Sequence, residues 1–252
     1  MPASKNDLMP QKAIIFAAGL GSRLRPLTND RPKALVEIDG IPLLEHAINK
    51  FVDYGVINLI INIHHFGDQI IKFLEQKKFN KVNITISDER SLLLDTGGAL
   101  KKASWFFDDN KPFWAYNVDI ITDIDLNAML TTHLNDNAIA TLAIRKRKSS
   151  RYLLWDQERK LKGWKNTRTG KEIRYAPKEE NLQEQAFSGI HIIQPEIFHY
   201  LPDEKVFPII NTYLNIATEH TISGFNHDNS SWFDTGTPEK LHEAEEYIKK
   251  YS

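Results

Sequence analysis

The sequence contains no cysteine, which excludes thiolate nucleophiles, disulfide bonds and thiolate zinc sites from its chemistry. It also lacks an excess of charge of one sign, since 32 basic residues stand against 33 acidic ones. This balance gives no electrostatic case for nucleic acid or an anionic membrane as a partner. No apolar run approaches membrane-spanning length, and residues 1–11 lack the apolar core of a signal peptide. We therefore expect a cytoplasmic protein.

Two common phosphate-binding motifs are missing as well. No Gly-Lys-Ser or Gly-Lys-Thr triplet occurs, which excludes a P-loop. A dinucleotide-binding fingerprint requires a third glycine three residues after Gly21, but Leu24 stands at that position. The glycine loop at residues 19–21 therefore belongs to a different kind of phosphate site.

Apolar runs alternate with helical periodicity through the first half of the chain. The pattern predicts a buried strand over 13–18, an amphipathic helix over 43–52 that stops at Gly55, and a second buried strand over 56–63. The alternation continues with helices over 68–78, 98–106 and 126–134 and with strands over 82–87, 112–117 and 138–145. Alternation of this kind predicts a parallel α/β sheet with right-handed crossovers.

The pattern changes after Arg145, where the stretch 146–185 becomes charged and rich in turns. Strand candidates inside it predict a small β-hairpin insertion that serves as a lid. Regular structure returns with a strand over 186–193, helices from Pro195 and near 206–216, a strand near Thr221 and a terminal helix that begins at Pro238. We expect a flexible tail over 1–11 and a single domain over 12–252.

The glycine loop combines several features that suit a polyphosphate ligand. It leaves the end of the first strand as Gly19-Leu20-Gly21-Ser22, and glycine lets backbone N–H groups approach a phosphate closely. Arg23 and Lys33 add two cations on the same excursion, with Pro26 and Pro32 restricting the backbone around them.

This stretch resembles the signature of the nucleoside-diphosphate-sugar pyrophosphorylases, which are sugar-1-phosphate nucleotidyltransferases. The matching elements are Gly19, Gly21, Arg23, Pro26, Thr28, Pro32-Lys33-Ala34-Leu35 and Gly40-Ile41-Pro42. Among family members the chain looks closest to short N-acetylmuramate-1-phosphate uridylyltransferases and mannose-1-phosphate guanylyltransferase-like proteins. The resemblance extends from residue 13 to about residue 248. It implies a Rossmann-like three-layer sandwich with a mainly parallel mixed sheet, of the nucleotide-diphospho-sugar transferase type.

The resemblance also implies a reaction and its catalytic residues. The reaction converts an NTP and a sugar-1-phosphate into an NDP-sugar and pyrophosphate. Arg23 is implied to bind the β- and γ-phosphates and Lys33 the α-phosphate. Asp119, after the predicted strand 112–117, and Asp234, in a late Asp-Thr-Gly-Thr turn, are implied to hold Mg²⁺ together, as its preference for oxygen ligands allows. Either aspartate alone is typical of a turn or helix cap.

Further residues are implied to contact the substrates. Those expected near the nucleotide are Ala17, Ala18, Gly19, Gly21, Ser22, Gly97 and Gly98. Those expected near the sugar are Asn117, Ser188, Gly189 and Lys165, the last as a candidate for the sugar-phosphate grip. The basic run Arg145-Lys146-Arg147-Lys148 is interpreted as a solvated turn.

The sequence leaves the substrate pair open. We favour UTP with N-acetylmuramate-1-phosphate. The alternatives are a mannose-1-phosphate guanylyltransferase, a choline-phosphate cytidylyltransferase of the same fold and a non-catalytic nucleotide-sugar sensor.

Overall fold

The structure is a computed structural model that describes residues 9–177 and 181–251. Over these ranges the first strands are β1 (Lys12–Phe16), β2 (Glu37–Ile38), β3 (Ile41–Pro42), β4 (Asn58–Ile63), β5 (Asn83–Asp88), β6 (Phe113–Asn117) and β7 (Ile120–Thr122). The later strands are β8 (Ala140–Arg145), β9 (Arg151–Trp155), β10 (Leu161–Asn166), β11 (Glu172–Arg174), β12 (Gln183–Ile193), β13 (Ile222–Asn226) and β14 (Trp232–Asp234). The helices are α1 (Leu43–Tyr54), α2 (Gly67–Lys77), α3 (Asp95–Lys102), α4 (Leu126–Asn135), α5 (Ile209–Ile216) and α6 (Pro238–Tyr251).

The central sheet is mixed and mainly parallel, as predicted. Its strands lie in the order β5-β4-β1-β6-β12-β8-β13. Strand β12 runs antiparallel to both of its neighbours, and the remaining adjacent pairs are parallel. The carboxyl ends of β1, β4, β5 and β6 therefore meet at one edge of the sheet, where ligands bind in open α/β folds.

Two apolar cores cover the two faces of this sheet and make it a three-layer sandwich. In β1, Ala13 and Ile15 enter the core that holds α1, α2, α4 and α6, whereas Ile14 enters the core that holds α3 and α5. Because successive side chains of a strand point to opposite faces, a strand covered on both faces is apolar throughout. This explains the continuous apolar runs in the sequence.

The first helix matches its prediction in both pattern and end point. Its apolar stripe is fully buried at Leu44, Ile48 and Phe51. Gly55 follows at φ 97°, a left-handed conformation that glycine adopts without strain, and its N–H donates to the Val52 carbonyl at 3.0 Å.

The predicted lid is an antiparallel extension of the fold. Strands β9, β10 and β11 form a three-stranded sheet, and β9 pairs with the first residues of β12. The second half of β12 belongs to the central sheet, so one long strand joins the insertion to the core. Residues 178–180 of the predicted lid lie outside the described residues.

The start of the described chain is part of the fold. Residues 1–8 of the predicted flexible tail lie outside the described residues. Pro10 is buried, and the carbonyl of Gln11 accepts hydrogen bonds from the N–H groups of Ile57 and Asn58. The end of the predicted tail is thus anchored beside β4. Among the described residues, none of the helices has the length and apolar character needed to cross a bilayer.

Candidate active site

The glycine loop begins where β1 ends, and its two glycines have different roles. Gly21 has φ 65°, and a Cβ atom there would lie 3.0 Å from side-chain atoms of both Lys33 and Thr28. The Thr28 hydroxyl donates to the Gly21 carbonyl at 2.9 Å and holds the turn. Gly19 has open space around it, with no atom within 4 Å of where a Cβ would be placed. The loop therefore offers an approachable backbone at Gly19 and a fixed turn at Gly21, followed by Ser22 in a 3-10 turn.

Asp119 and Asp234 lie at one end of the sheet despite their separation in the sequence. Strands β7 and β14 pair, with Ile120 opposite Asp234. The N–H and the hydroxyl of Thr235 both donate to the Asp119 carbonyl at 2.9 Å. These contacts hold Asp119, which directly precedes β7, close to Asp234 at the end of β14.

Three cations surround this aspartate pair. Lys33, 9% exposed, forms an ion pair with Asp119, and Lys240 lies 3.1 Å from an Asp234 oxygen. Arg23 lies beside Gly236, where a Cβ would come within 2.8 Å of its guanidinium. Burial of Asp234 raises its pKa, but the hydrogen bond from Lys240 and the charges of Lys240, Lys33 and Arg23 outweigh burial and lower the pKa overall.

Lys240 was not identified from the sequence, although a signal was present. It lies in the first turn of α6, where the helix dipole disfavours a cation. A lysine in that position indicates another partner, which the structure identifies as Asp234.

The aspartate pair has a donor set that fits a hard divalent cation. Two carboxylates supply oxygen ligands of the kind that Mg²⁺ prefers, and Mg²⁺ ordinarily keeps part of its water shell. No group of three or more histidines, aspartates or glutamates assembles around a point within the described residues. A cation bound here would therefore complete its shell with phosphate oxygens and water.

A cavity of about 380 Å³ opens beside Asp119 at the ends of β1, β4 and β6, a size that is typical of small-ligand pockets. Its lining residues include Ala17, Ala18, Gly19, Lys33, Asn62, Glu89, Asp95, Thr96, Asn117, Asp119 and Val206. Because the resemblance implies that Ala17, Ala18 and Gly19 contact the nucleotide, we call it the nucleoside cavity. It brings together the glycine loop, Lys33, Asn117 and Asp119 from the predicted site.

A buried polar pair in this cavity was missed from the sequence. Asn62 accepts a hydrogen bond from the Ala17 N–H at 2.7 Å and donates to Glu89 at 2.9 Å. Glu89 also accepts from the Leu94 N–H at 3.3 Å, and burial raises its pKa. The Ala17 N–H is thus already paired within the protein. The signal for Asn62 was its place as a polar residue between the apolar residues of β4, and Glu89 directly follows β5.

Gly97 and Gly98, which are expected near the nucleotide, pack against the chain that leads into α5. Their N–H groups donate to the Phe207 carbonyl at 2.9 and 3.2 Å. A Cβ on Gly97 would lie 2.3 Å from the Phe207 ring, and one on Gly98 would lie 2.1 Å from the Lys205 carbonyl oxygen. Neither glycine lines the nucleoside cavity, whereas Asp95 and Thr96 do. The close approach of residues 205–207 explains why glycine is required here.

The predicted sugar contacts have mixed surroundings. Gly189 has φ 80°, and a Cβ there would lie 2.9 Å from the amide nitrogen of Asn117, so the two residues adjoin at the cavity edge. Ser188 is buried, and its hydroxyl shares a 2.7 Å hydrogen bond with His227. Burial lowers the pKa of His227 to about 4, so this histidine is neutral at pH 7. The Ser188 hydroxyl is therefore paired with His227 in the protein interior and does not face an open cavity.

Lys165 does not line the nucleoside cavity. It lies 2.6 Å from a Glu184 oxygen on the exposed side of the insertion. Arg147, by contrast, lies near Asp234; its guanidinium stacks on the Trp232 ring at 4.8 Å and donates to the Phe187 carbonyl at 2.9 Å.

The interpretation of the basic run as a solvated turn is therefore wrong for Arg147. Burial lowers the pKa of this guanidinium, while the charge of nearby Asp234 acts in the opposite direction. Its buried Nε has no hydrogen-bond partner among the described residues. Arg147 thus brings a partly buried cation to the aspartate pair from the lid side.

Comparison with known proteins identifies the family of the chain. Residues 12–251 match the nucleotidyl transferase family. The N-acetylmuramate alpha-1-phosphate uridylyltransferase of Neisseria meningitidis is 29% identical over 236 residues, covering 93% of this chain and 96% of that protein. The protein of the same name from Caulobacter vibrioides is 41% identical, but the match covers 44% of this chain and 47% of the relative. Mannose-1-phosphate guanyltransferase beta-B of Xenopus laevis is 27% identical over 90% of this chain and 61% of its own length.

Solved structures share the fold. UDP-glucose pyrophosphorylase in complex with UDP-glucose superposes with a TM-score of 0.75 at 18% identity, covering 97% of this chain and all of the other. HddC from Yersinia pseudotuberculosis gives a TM-score of 0.74 at 21% identity, covering 94% and 99%. The predicted fold class and the resemblance noted in the sequence are confirmed, and the chain belongs to the nucleotidyl transferase family.

Proposed function

We propose that this chain is a sugar-1-phosphate nucleotidyltransferase that makes UDP-N-acetylmuramate and pyrophosphate from UTP and N-acetylmuramate-1-phosphate. The observation that carries the proposal is the cluster of Arg23, Lys33, Asp119 and Asp234, of which Lys33 and Asp119 line the nucleoside cavity. The match over nearly the whole length of the meningococcal relative supports this acceptor. We place the reaction in the cytoplasm, as a step toward a cell-wall or glycan precursor.

The chemistry needs no general base. A sugar phosphate has its second pKa near ~6, so at neutral pH it is mostly a dianion whose oxygen attacks directly. The new bond joins this oxygen to the α-phosphorus of UTP, and the bond to the β-phosphate oxygen breaks as pyrophosphate leaves. The main barrier is the repulsion between two anions, so positioning and charge compensation supply the catalysis.

Arg23 and Lys33 bind different phosphates of the nucleotide. Arg23, exposed at the turn after the glycine loop, binds the β- and γ-phosphates. Lys33, already held by Asp119, binds the α-phosphate and the charge that develops there. Asp119 and Asp234 would hold Mg²⁺, which when bound supplies positive charge against the triphosphate. The backbone at Gly19 faces the phosphates, and Ala17 and Ala18 line the wall beside the nucleoside.

The direct test is pyrophosphate release with Mg²⁺ across four NTPs and a panel of phosphates. The panel includes muramate, mannose, glucose and glucosamine derivatives and choline phosphate. We expect UTP with N-acetylmuramate-1-phosphate to be the productive pair and Asp119→Ala to abolish it. Asp53→Ala, an exposed aspartate of α1, serves as the matched control and keeps full activity.

The second candidate is a mannose-1-phosphate guanylyltransferase, favoured by the relative from Xenopus laevis. Turnover of GTP with mannose-1-phosphate alone would establish this activity instead. Turnover of CTP with choline phosphate alone would establish the cytidylyltransferase. Nucleotide-sugar binding without pyrophosphate release from any pair would contradict the enzyme and favour a sensor.

A further inference from the structure

A second cavity, of about 480 Å³, adjoins the nucleoside cavity between the three-stranded insertion and α5. The segment 206–210 separates the two, because Val206 lines the nucleoside cavity whereas Pro208 and Ile210 line the second one. Phe187, the neighbour of Ser188, also lines it. We call it the acceptor cavity, because Arg147 lines it and lies near enough to Asp234 for that charge to act on its pKa.

The register of the insertion explains how its wall is built. Residues that face each other across antiparallel strands share one face of the sheet. Leu153, Trp164 and Ile173 form one such row across β9, β10 and β11. The same registers place Arg151 beside Asn166, and the N–H of Asn166 donates to the Lys171 carbonyl at 2.8 Å. The apolar row that contains Trp164 therefore lies next to a row that contains Arg151 and Lys171.

The acceptor cavity is strongly cationic. Arg147, Arg151 and Lys171 line it, and of its lining residues in the described chain none is acidic. Neither Arg151 nor Lys171 forms an ion pair with a carboxylate anywhere in the described chain. Lys165, one residue from Trp164 and on the opposite face, is by contrast neutralised by Glu184. Unpaired cations around an apolar wall are typical of a binding site for an amphipathic anion.

The three cations are not equivalent in position. Arg147 is the inner one, close enough to Asp234 for that charge to influence its pKa, and so is placed for the 1-phosphate of the acceptor. Arg151 and Lys171 are exposed and belong to the outer row of the insertion. Once the phosphate is assigned to Arg147, these two remain without an anion.

We propose that the acceptor carries a carboxylate remote from its 1-phosphate, and that Arg151 and Lys171 bind this carboxylate while the sugar ring lies against Trp164. The inference rests on the proposed function, since it identifies which sugar phosphates fit the same site. N-acetylmuramate-1-phosphate has such a carboxylate on its lactyl ether. N-acetylglucosamine-1-phosphate has the same sugar ring and the same phosphate but no carboxylate. We call it the neutral acceptor, because its sugar carries no charge.

The test compares these two acceptors, with UTP and Mg²⁺, in wild type, Arg151→Gln, Lys171→Met and the double variant. We expect each single substitution to raise KM for the acidic acceptor by about tenfold, the usual effect of losing a charge-assisted hydrogen bond. The kcat value and the KM for the neutral acceptor should stay within about twofold. Lys148→Met, an exposed cation that does not line the cavity, is the control and should leave both acceptors unchanged. Arg151→Lys, which keeps the charge, should restore part of the affinity.

Three results would overturn the inference. Equal loss for both acceptors in Arg151→Gln and Lys171→Met would make these residues structural, and an unchanged KM for the acidic acceptor would remove them from recognition. If the wild type turned over only sugar phosphates that lack a carboxylate, the proposed carboxylate of the acceptor would be refuted. The proposed nucleotidyltransferase activity would still stand. Absence of turnover with every NTP and phosphate of the panel would instead refute the proposed function, and the inference with it.

Discussion

Gly98→Ala and Gly19→Ala should have different effects, because Gly98 is required for packing whereas Gly19 leaves room for a phosphate to approach the backbone. A Cβ on Gly98 would lie 2.1 Å from the Lys205 carbonyl oxygen, whereas ordinary contacts begin near 3.4 Å. A backbone atom cannot move aside as a flexible side chain can, so the segment 205–207 must shift by about an ångström. Overpacking of this kind costs about 1–3 kcal/mol. For a chain of this length that free energy corresponds to a fall in Tm of roughly 2–12 °C.

Gly19→Ala is the opposite case, because no atom lies within 4 Å of the added methyl group. Its Tm should stay within about 2 °C of wild type, as for a surface substitution. Its pyrophosphate release should nevertheless fall by about tenfold or more, since the methyl group stands where the phosphate approaches the backbone. Thermal unfolding by circular dichroism and pyrophosphate release measure the two effects. An unchanged Tm for Gly98→Ala together with weakened NTP binding would refute the packing explanation and return Gly98 to the nucleotide site.

Three further predictions concern the charged groups. Lys33→Ala should lower kcat by about a hundredfold, as removal of one transition-state donor does, and wild-type turnover would refute its role. The lowered pKa of Asp234 means that its pairing with Lys240 stabilises the fold above pH 3.8, its ordinary value, and that this stability is lost as the pH falls through the lowered pKa. The Tm of Lys240→Met should therefore lie below that of wild type at pH 7, with the difference vanishing at acidic pH; a constant difference would contradict the pairing. Arg147→Met should reduce kcat/KM for acidic and neutral acceptors alike, and loss for the acidic one alone would contradict its assignment to the 1-phosphate.

The sequence was most informative where short-range patterns decide structure. The apolar runs of β1 and β4 and the stripe of α1 appear in the fold close to where they were predicted. Asp119 and Asp234 were named from the family resemblance, because either aspartate alone is typical of a turn; their proximity depends on the pairing of β7 with β14.

Other site features could not be obtained from local sequence. A glycine pair looks the same whether it approaches a ligand or another segment, so the packing of Gly97 and Gly98 on residues 205–207 was not predictable. Arg147 stands in a run of four cations, and such runs are usually solvated; the Trp232 ring that covers it comes from a distant strand. Asn62 differs, because its place in an apolar strand was a usable signal.

A double-mutant cycle on Mg²⁺-dependent pyrophosphate release tests most directly whether Asp119 and Asp234 act as one magnesium site. Two ligands of one ion are not independent, so each single change to asparagine should lower kcat by about a hundredfold and the double variant should be little worse than either. All three variants should also need more Mg²⁺ for half-maximal rate. Losses that multiply in the double variant, or an unchanged requirement for Mg²⁺, would show that the two aspartates work separately.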